Sequence, residues 1–172
     1  VSLLQNYIIK EIQKLKCKFD TSNPIEIIEN LKINLWFRYG LGNLKGFYYL
    51  THHQRYIVIN ADLNERDQLM VAAHELGHDR FHQHLARVSP LKDFMLYDMT
   101  SRTEYQANLF ASELLIADEE VEECISEDMD YFGLCSTVGF NPQLVTFKLY
   151  GMMQRGYKIN LPQTPNSTFM KK

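Results

Sequence analysis

Leu69-Met70-Val71-Ala72-Ala73-His74-Glu75-Leu76-Gly77-His78 is the stretch that decides how the rest of this 172-residue chain is read. An apolar-periodic run leads into two histidines four positions apart, which predicts one buried helix from Asn64 to about Leu85. Residues four apart share a helix face, so both imidazoles can meet one ion, with Glu75 beside it and not on it. This is the H-E-x-x-H arrangement, in which two histidines bind zinc and the glutamate is general base toward the water that the ion activates. Histidines that merely decorate a solvated helix would not need the apolar run before them. Gly77 costs a helix interior about 1 kcal/mol, which is offset if another backbone passes close to it.

A catalytic site of this kind takes three protein ligands and keeps a position for water, so one more ligand must come from elsewhere. The candidates are His82, His84, Glu104 and Glu113. His82 would have to reach back past His78, which makes it a neighbour of the ligands or a substrate contact, and His84 lies elsewhere on the wheel. Glu104 leads: it opens a second helical pattern, Arg102 to Ile116, whose Ala107 and Ala111 are small enough for close packing on the motif helix. Glu113 is farther down that helix. Asn108, one turn after Glu104, can hydrogen-bond a ligand histidine and fix its tautomer. Tyr97, Tyr105 and His82 are the candidates to donate to a developing oxyanion.

Upstream of the motif the period changes. Leu3, Leu4, Tyr7, Ile8, Glu11, Ile12 and Leu15 suit a first amphipathic helix, and Asn23-Pro24 is a cap-and-proline start for a short second one, Ile25 to Leu31. Ile33 to Arg38, Leu44 to Leu50 and Tyr56 to Asn60 are rich in β-branched and aromatic residues. They read as three strands, the last two a hairpin turning at an exposed His52-His53-Gln54 corner. A hairpin there gives the motif helix a sheet to pack on and leaves a strand edge near the metal, where an extended peptide could add.

Downstream, Ser89-Pro90 stops the motif helix, Leu91 to Ser101 is a connector, and Asp118 to Asp130 is an acidic, solvated helix and loop. Leu134-Cys135, Gly139 and Val145 have the spacing of a helix-turn-helix. Its second helix, Pro142 to Gly151, carries little positive charge for phosphates, so it reads as a helix that packs or holds substrate.

Hydrophobic residues make up 45% of the chain and charged ones 23%, which is globular composition. The net charge of -3 gives no general attraction for nucleic acid or an anionic membrane, and argues against direct DNA binding. Cys17, Cys124 and Cys135 form no C-x-x-C pair or disulfide framework, and no segment nears the roughly 18 apolar residues of a membrane span. A cytoplasmic protein is expected. One domain over 1–161 follows: N-terminal helices 1–31, sheet 33–60, metal-site helices 63–116 and a C-terminal helical part 118–155, with 162–172 a loose tail.

HELGHDRFH followed by EYQANLFASELL resembles the ImmA/IrrE family of zinc metallopeptidases, whose E-x-x-A-N-x-F-A-x-x-L-L helix opens on a ligand glutamate. The similarity runs from the hairpin through the motif helix to the Glu104 helix, and more weakly beyond. It implies an α+β, zincin-like fold with a small antiparallel or mixed three-stranded sheet on the H-E-x-x-H helix. It also implies a gluzincin-like site of one zinc ion on His74, His78 and Glu104, with Glu75 as base. ImmA-like members belong to phages and integrative elements and act on the helix-turn-helix repressor that silences the element. IrrE-like members carry extra domains, and this chain lacks an obvious one. The resemblance therefore implies a zinc endopeptidase acting on such a repressor. The alternative is a metal-stabilised regulatory module that binds the repressor with little or no turnover.

Overall fold

The computed structural model describes residues 3–93 and 101–159. It is an α+β arrangement that has, among these residues, eight helices and a mixed four-stranded sheet of order Asn34–Arg38 (β1), Gln54–Asn60 (β3), Gly46–Thr51 (β2), Leu91–Asp93 (β4). Helix α1 (Leu3–Phe19) buries Ile8, Ile12 and Leu15 on one stripe. Helix α2 (Pro24–Asn30) starts on its proline, with the Asn23 side chain accepting from the Ile25 N–H.

Strand β1 (Asn34–Arg38) runs parallel to β3 (Gln54–Asn60), and β2 (Gly46–Thr51) lies antiparallel to β3. The β2–β3 hairpin turns on His52 and His53 alone, both exposed and both at positive φ (47° and 62°). Two left-handed residues give the twist that a two-residue hairpin needs. Alternation then sends Tyr48, Arg55, Ile57 and Ile59 toward the helices, while Phe47, Tyr49 and Tyr56 stack on the opposite face.

Helix α3 (Glu65–Phe81) is the central element, with every residue from Met70 to Asp79 buried. It packs on the sheet with one side and on α5 (Arg102–Leu115) with the other. A buried charge pins it to the sheet: Asp79 accepts from the Tyr48 hydroxyl at 3.0 Å and from the Arg55 guanidinium at 3.1 and 3.2 Å. Burial and the neighbouring Asp79 push the Tyr48 hydroxyl well above the usual tyrosine range, so it remains a donor.

Helices α6 (Asp118–Ser126), α7 (Tyr131–Val138) and α8 (Pro142–Gln154) complete the described chain. Gly139, at φ 72°, ends α7 in the left-handed region and allows the tight turn into α8. Helix α8 packs on α5, burying Leu144, Val145, Phe147 and Leu149, in keeping with a packing role for the helix-turn-helix-like spacing.

Two expectations need correction. The sheet has four strands where three were expected, because Leu91–Asp93, in the segment read as a connector, forms β4 against Gly46, Phe47 and Tyr48. Three residues following a proline carry no strand periodicity, so this pairing with β2 is tertiary in origin. The edge of β2 opposite β3 is accordingly paired with β4 along Gly46–Tyr48. The motif helix also ends at Phe81, not about Leu85: His82 leaves helical geometry (φ -124°, ψ 18°) and a one-turn α4 (Gln83–Ala86) follows. Tyr97 and the tail at 162–172 lie outside the described residues.

Candidate metal centre

Two capped helices bring the site together. Asn64 caps α3 by accepting from the Asp67 N–H at 2.9 Å, and ten residues on, His74 and His78 occupy successive turns, both fully buried. Ser101 caps α5 by accepting from the Glu104 N–H at 3.1 Å, which puts Glu104 in the first turn facing the histidines. The helices approach closely at Gly77, where a Cβ would lie 3.1 Å from the Ala107 Cα. The glycine in the motif and the alanine after Glu104 thus make one contact.

The Nε2 atoms of His74 and His78 are 3.1 Å apart, and Glu104 sets Oε2 3.2 Å from the first and Oε1 3.5 Å from the second. Bonds of about 2.0–2.1 Å from one ion to tetrahedral ligands put those ligands roughly 3.3 Å apart. The Nε2–Nε2 separation and the nearer Glu104 contact are close to that edge length, and the second carboxylate oxygen lies 3.5 Å from His78. Among the described residues, these three form a group able to hold a metal ion. The two histidine side chains are closed to solvent and the Glu104 side chain is 19% exposed, so solvent meets the trio at the carboxylate.

The outer nitrogens are also engaged. His74 Nδ1 lies 2.9 Å from Asn108 Oδ1, an acceptor, so it carries the proton and leaves Nε2 bare. His78 Nδ1 lies 2.9 Å from His82 Nδ1, and His82 Nε2 lies 2.8 Å from Gln106 Oε1. Burial pushes the His82 imidazolium down to about 4, so the ring is neutral at physiological pH. Two imidazole nitrogens and a carboxylate are ligand types that suit a divalent metal, and they converge within 3.5 Å, so the donor set fits the metal that its spacing implied.

Glu75 is fully buried, on the turn between the two histidines. A Cβ on Gly46 would come 3.0 Å from Glu75 Oε1 and 2.5 Å from Val71 Cγ1, so β2 passes the glutamate where its residue has no side chain. Tyr105 is half-buried, its ring against Phe147 at 6.0 Å, and Asn108 is spent on His74. Glu113 stands elsewhere, paired with Lys148 at 2.6 Å and Arg155 at 3.2 Å, and His84 is exposed on α4.

Gln106, Gly46 and the Asp79–Arg55–Tyr48 contact were not found from the sequence. For Asp79 a signal existed: Arg55 shares strand parity with Ile57 and Ile59, so it must face the core and requires an acid there. No comparable pattern marks Gln106.

Residues 28–139 match the family model described as the IrrE N-terminal-like domain, a peptidase family. The chain is 36% identical over 114 residues to immunity region protein 2 of Bacillus phage phi105, covering 65% of this chain and 70% of that protein. It is 29% identical over 115 residues to the metallopeptidase ImmA of Bacillus subtilis strain 168, covering 67% and 66% respectively.

Proposed function

This chain belongs to the ImmA/IrrE family of metallopeptidases, and on that premise we propose that it is a zinc-dependent endopeptidase that cleaves the helix-turn-helix repressor of a phage or mobile element. The observation that carries the reading is the convergence of donor groups: two Nε2 atoms 3.1 Å apart on successive turns of one helix, with the two oxygens of one carboxylate from the first turn of another at 3.2 and 3.5 Å. Two imidazoles and one carboxylate suit zinc. The immunity-region name of the phage relative supports a repressor as the protein substrate. A zincin-like packing, with the motif helix beneath the sheet, is part of the same proposal.

In this reading His74, His78 and Glu104 hold the ion, which when bound supplies an acidified water and polarises the scissile carbonyl. Glu75 is the general base: its carboxylate takes the proton of the attacking water and passes it to the leaving amine. Its burial removes competing water and strengthens that proton transfer. Asn108 holds His74 with Nδ1 protonated, so Nε2 faces inward. Of the candidates to donate to the oxyanion, His82 has both ring nitrogens engaged, by His78 and Gln106, which leaves Tyr97 and Tyr105.

The test is incubation of the zinc-loaded protein with the repressor encoded beside it, with and without chelator. Discrete fragments should appear only with metal, and Glu75→Gln should keep zinc while losing cleavage by at least 100-fold. A stoichiometric complex that yields no fragments would support the regulatory module instead, and full activity of Glu75→Gln would remove Glu75 as base.

A further inference from the structure

We propose that Gln106, acting through His82, sets the tautomer in which His78 presents Nε2 to the metal, which makes Gln106 and His82 positioning residues. The inference rests on the metal reading above and adds the means by which this chain prepares one ligand.

Three side chains stand in line. Gln106 Oε1 is 2.8 Å from His82 Nε2, and His82 Nδ1 is 2.9 Å from His78 Nδ1. Each gap holds one proton, so neutral rings allow only two self-consistent arrangements. In the first, the Gln106 carbonyl accepts from His82 Nε2–H, His82 Nδ1 accepts from His78 Nδ1–H, and His78 Nε2 is bare. In the second, the Gln106 amide N–H donates, every proton along the line shifts by one place, and His78 Nε2 carries a hydrogen that blocks coordination. Which end of the Gln106 amide faces His82 therefore decides whether His78 can be a ligand. The carbonyl faces it here, which selects the first arrangement.

The same geometry explains why His82 is not itself a ligand. Both of its nitrogens are engaged within the line, and the break in α3 at this residue turns its ring onto the far side of His78. His74 is prepared by a single bond, from Asn108, on the same helix as Gln106. Helix α5 thus supplies one ligand directly and fixes the tautomers of the other two.

Two variants separate acceptor chemistry from packing. Gln106→Glu keeps an acceptor and Gln106→Met keeps the bulk without one. Zinc affinity, measured by chelator competition, should fall 10- to 100-fold in Gln106→Met and stay within about threefold in Gln106→Glu. Long-range ¹H–¹⁵N spectra of the imidazoles read the line directly. In the metal-free wild type His82 should be the Nε2–H tautomer and His78 the Nδ1–H tautomer, and Gln106→Met should mix both. Wild-type affinity and tautomers in Gln106→Met would overturn the proposal, as would an equal loss of affinity in both variants. A metal-free wild type with His82 as Nδ1–H would overturn the relay and leave the metal reading intact. Failure of the wild type to bind zinc would overturn both.

Discussion

At Glu104 two effects oppose each other: burial works to raise its carboxyl, while the adjoining His74 and His78 rings hold it down more strongly. The net result lies below the usual carboxylate range, so the group stays ionised at neutral pH, as the proposed ligand role requires. Asp118 presents the same contest away from the site. Burial opposes ionisation, but Arg155 and Lys148 prevail and hold it down to about 2. A folded pKa below the unfolded one makes the contribution to stability complete above about pH 4 and lost as pH falls toward 2. Urea unfolding of wild type and Asp118→Asn should therefore differ most at pH 5–7, with the gap closing as pH falls from about 4 toward 2. A constant gap would contradict this assignment. At this scale the sequence exposed His74, Glu75 and His78 by fixed spacing and Glu104 by its place at the head of a helix. It could not expose Gln106, whose partner His82 is brought near only by the folded chain, while the one pointer to Asp79 was the inward strand parity of Arg55.

The site is as accurate as the contact between α3 and α5, and that contact turns on Gly77 against the Ala107 backbone. Gly77→Ala gains helix propensity of about 1 kcal/mol, yet its methyl would sit 3.1 Å from a Cα that cannot rotate away. The expected outcome is a net loss of roughly 1–3 kcal/mol and a weaker metal site, because separating the helices carries Glu104 away from both histidines. Thermal melts and zinc titration of the variant check this, and a stabilised variant with unchanged zinc affinity would contradict it. Long elements were legible from their apolar period and turn residues: the runs after Asn64 and from Arg102 form helices, Asn23-Pro24 starts α2, and the His52-His53 corner is an exposed turn. Strand β4 was not, since Leu91–Asp93 is extended only because β2 offers it partners. The early end of α3 at His82 was missed for a similar reason: nothing local breaks the helix there.

Across the molecule, the parts converge on α3, held to the sheet by Asp79 and to α5 by Gly77, with α8 backing α5 through Lys148, Glu113 and Arg155. None of the described helices is long and apolar enough to cross a membrane. An ion joining two such helices favours the folded state by mass action. Zinc at a hundredfold excess over its Kd should add about 2.7 kcal/mol, seen as a rise of roughly 5–10 °C in Tm that chelator reverses. An unchanged Tm would mean the trio is not a tight site. The most direct test of the central claim is anomalous diffraction at the zinc edge from metal-loaded crystals. One zinc per chain is expected within about 2.0–2.2 Å of His74 Nε2, His78 Nε2 and a Glu104 oxygen. Zinc bound to the histidines with the Glu104 carboxylate turned away from it would contradict that claim.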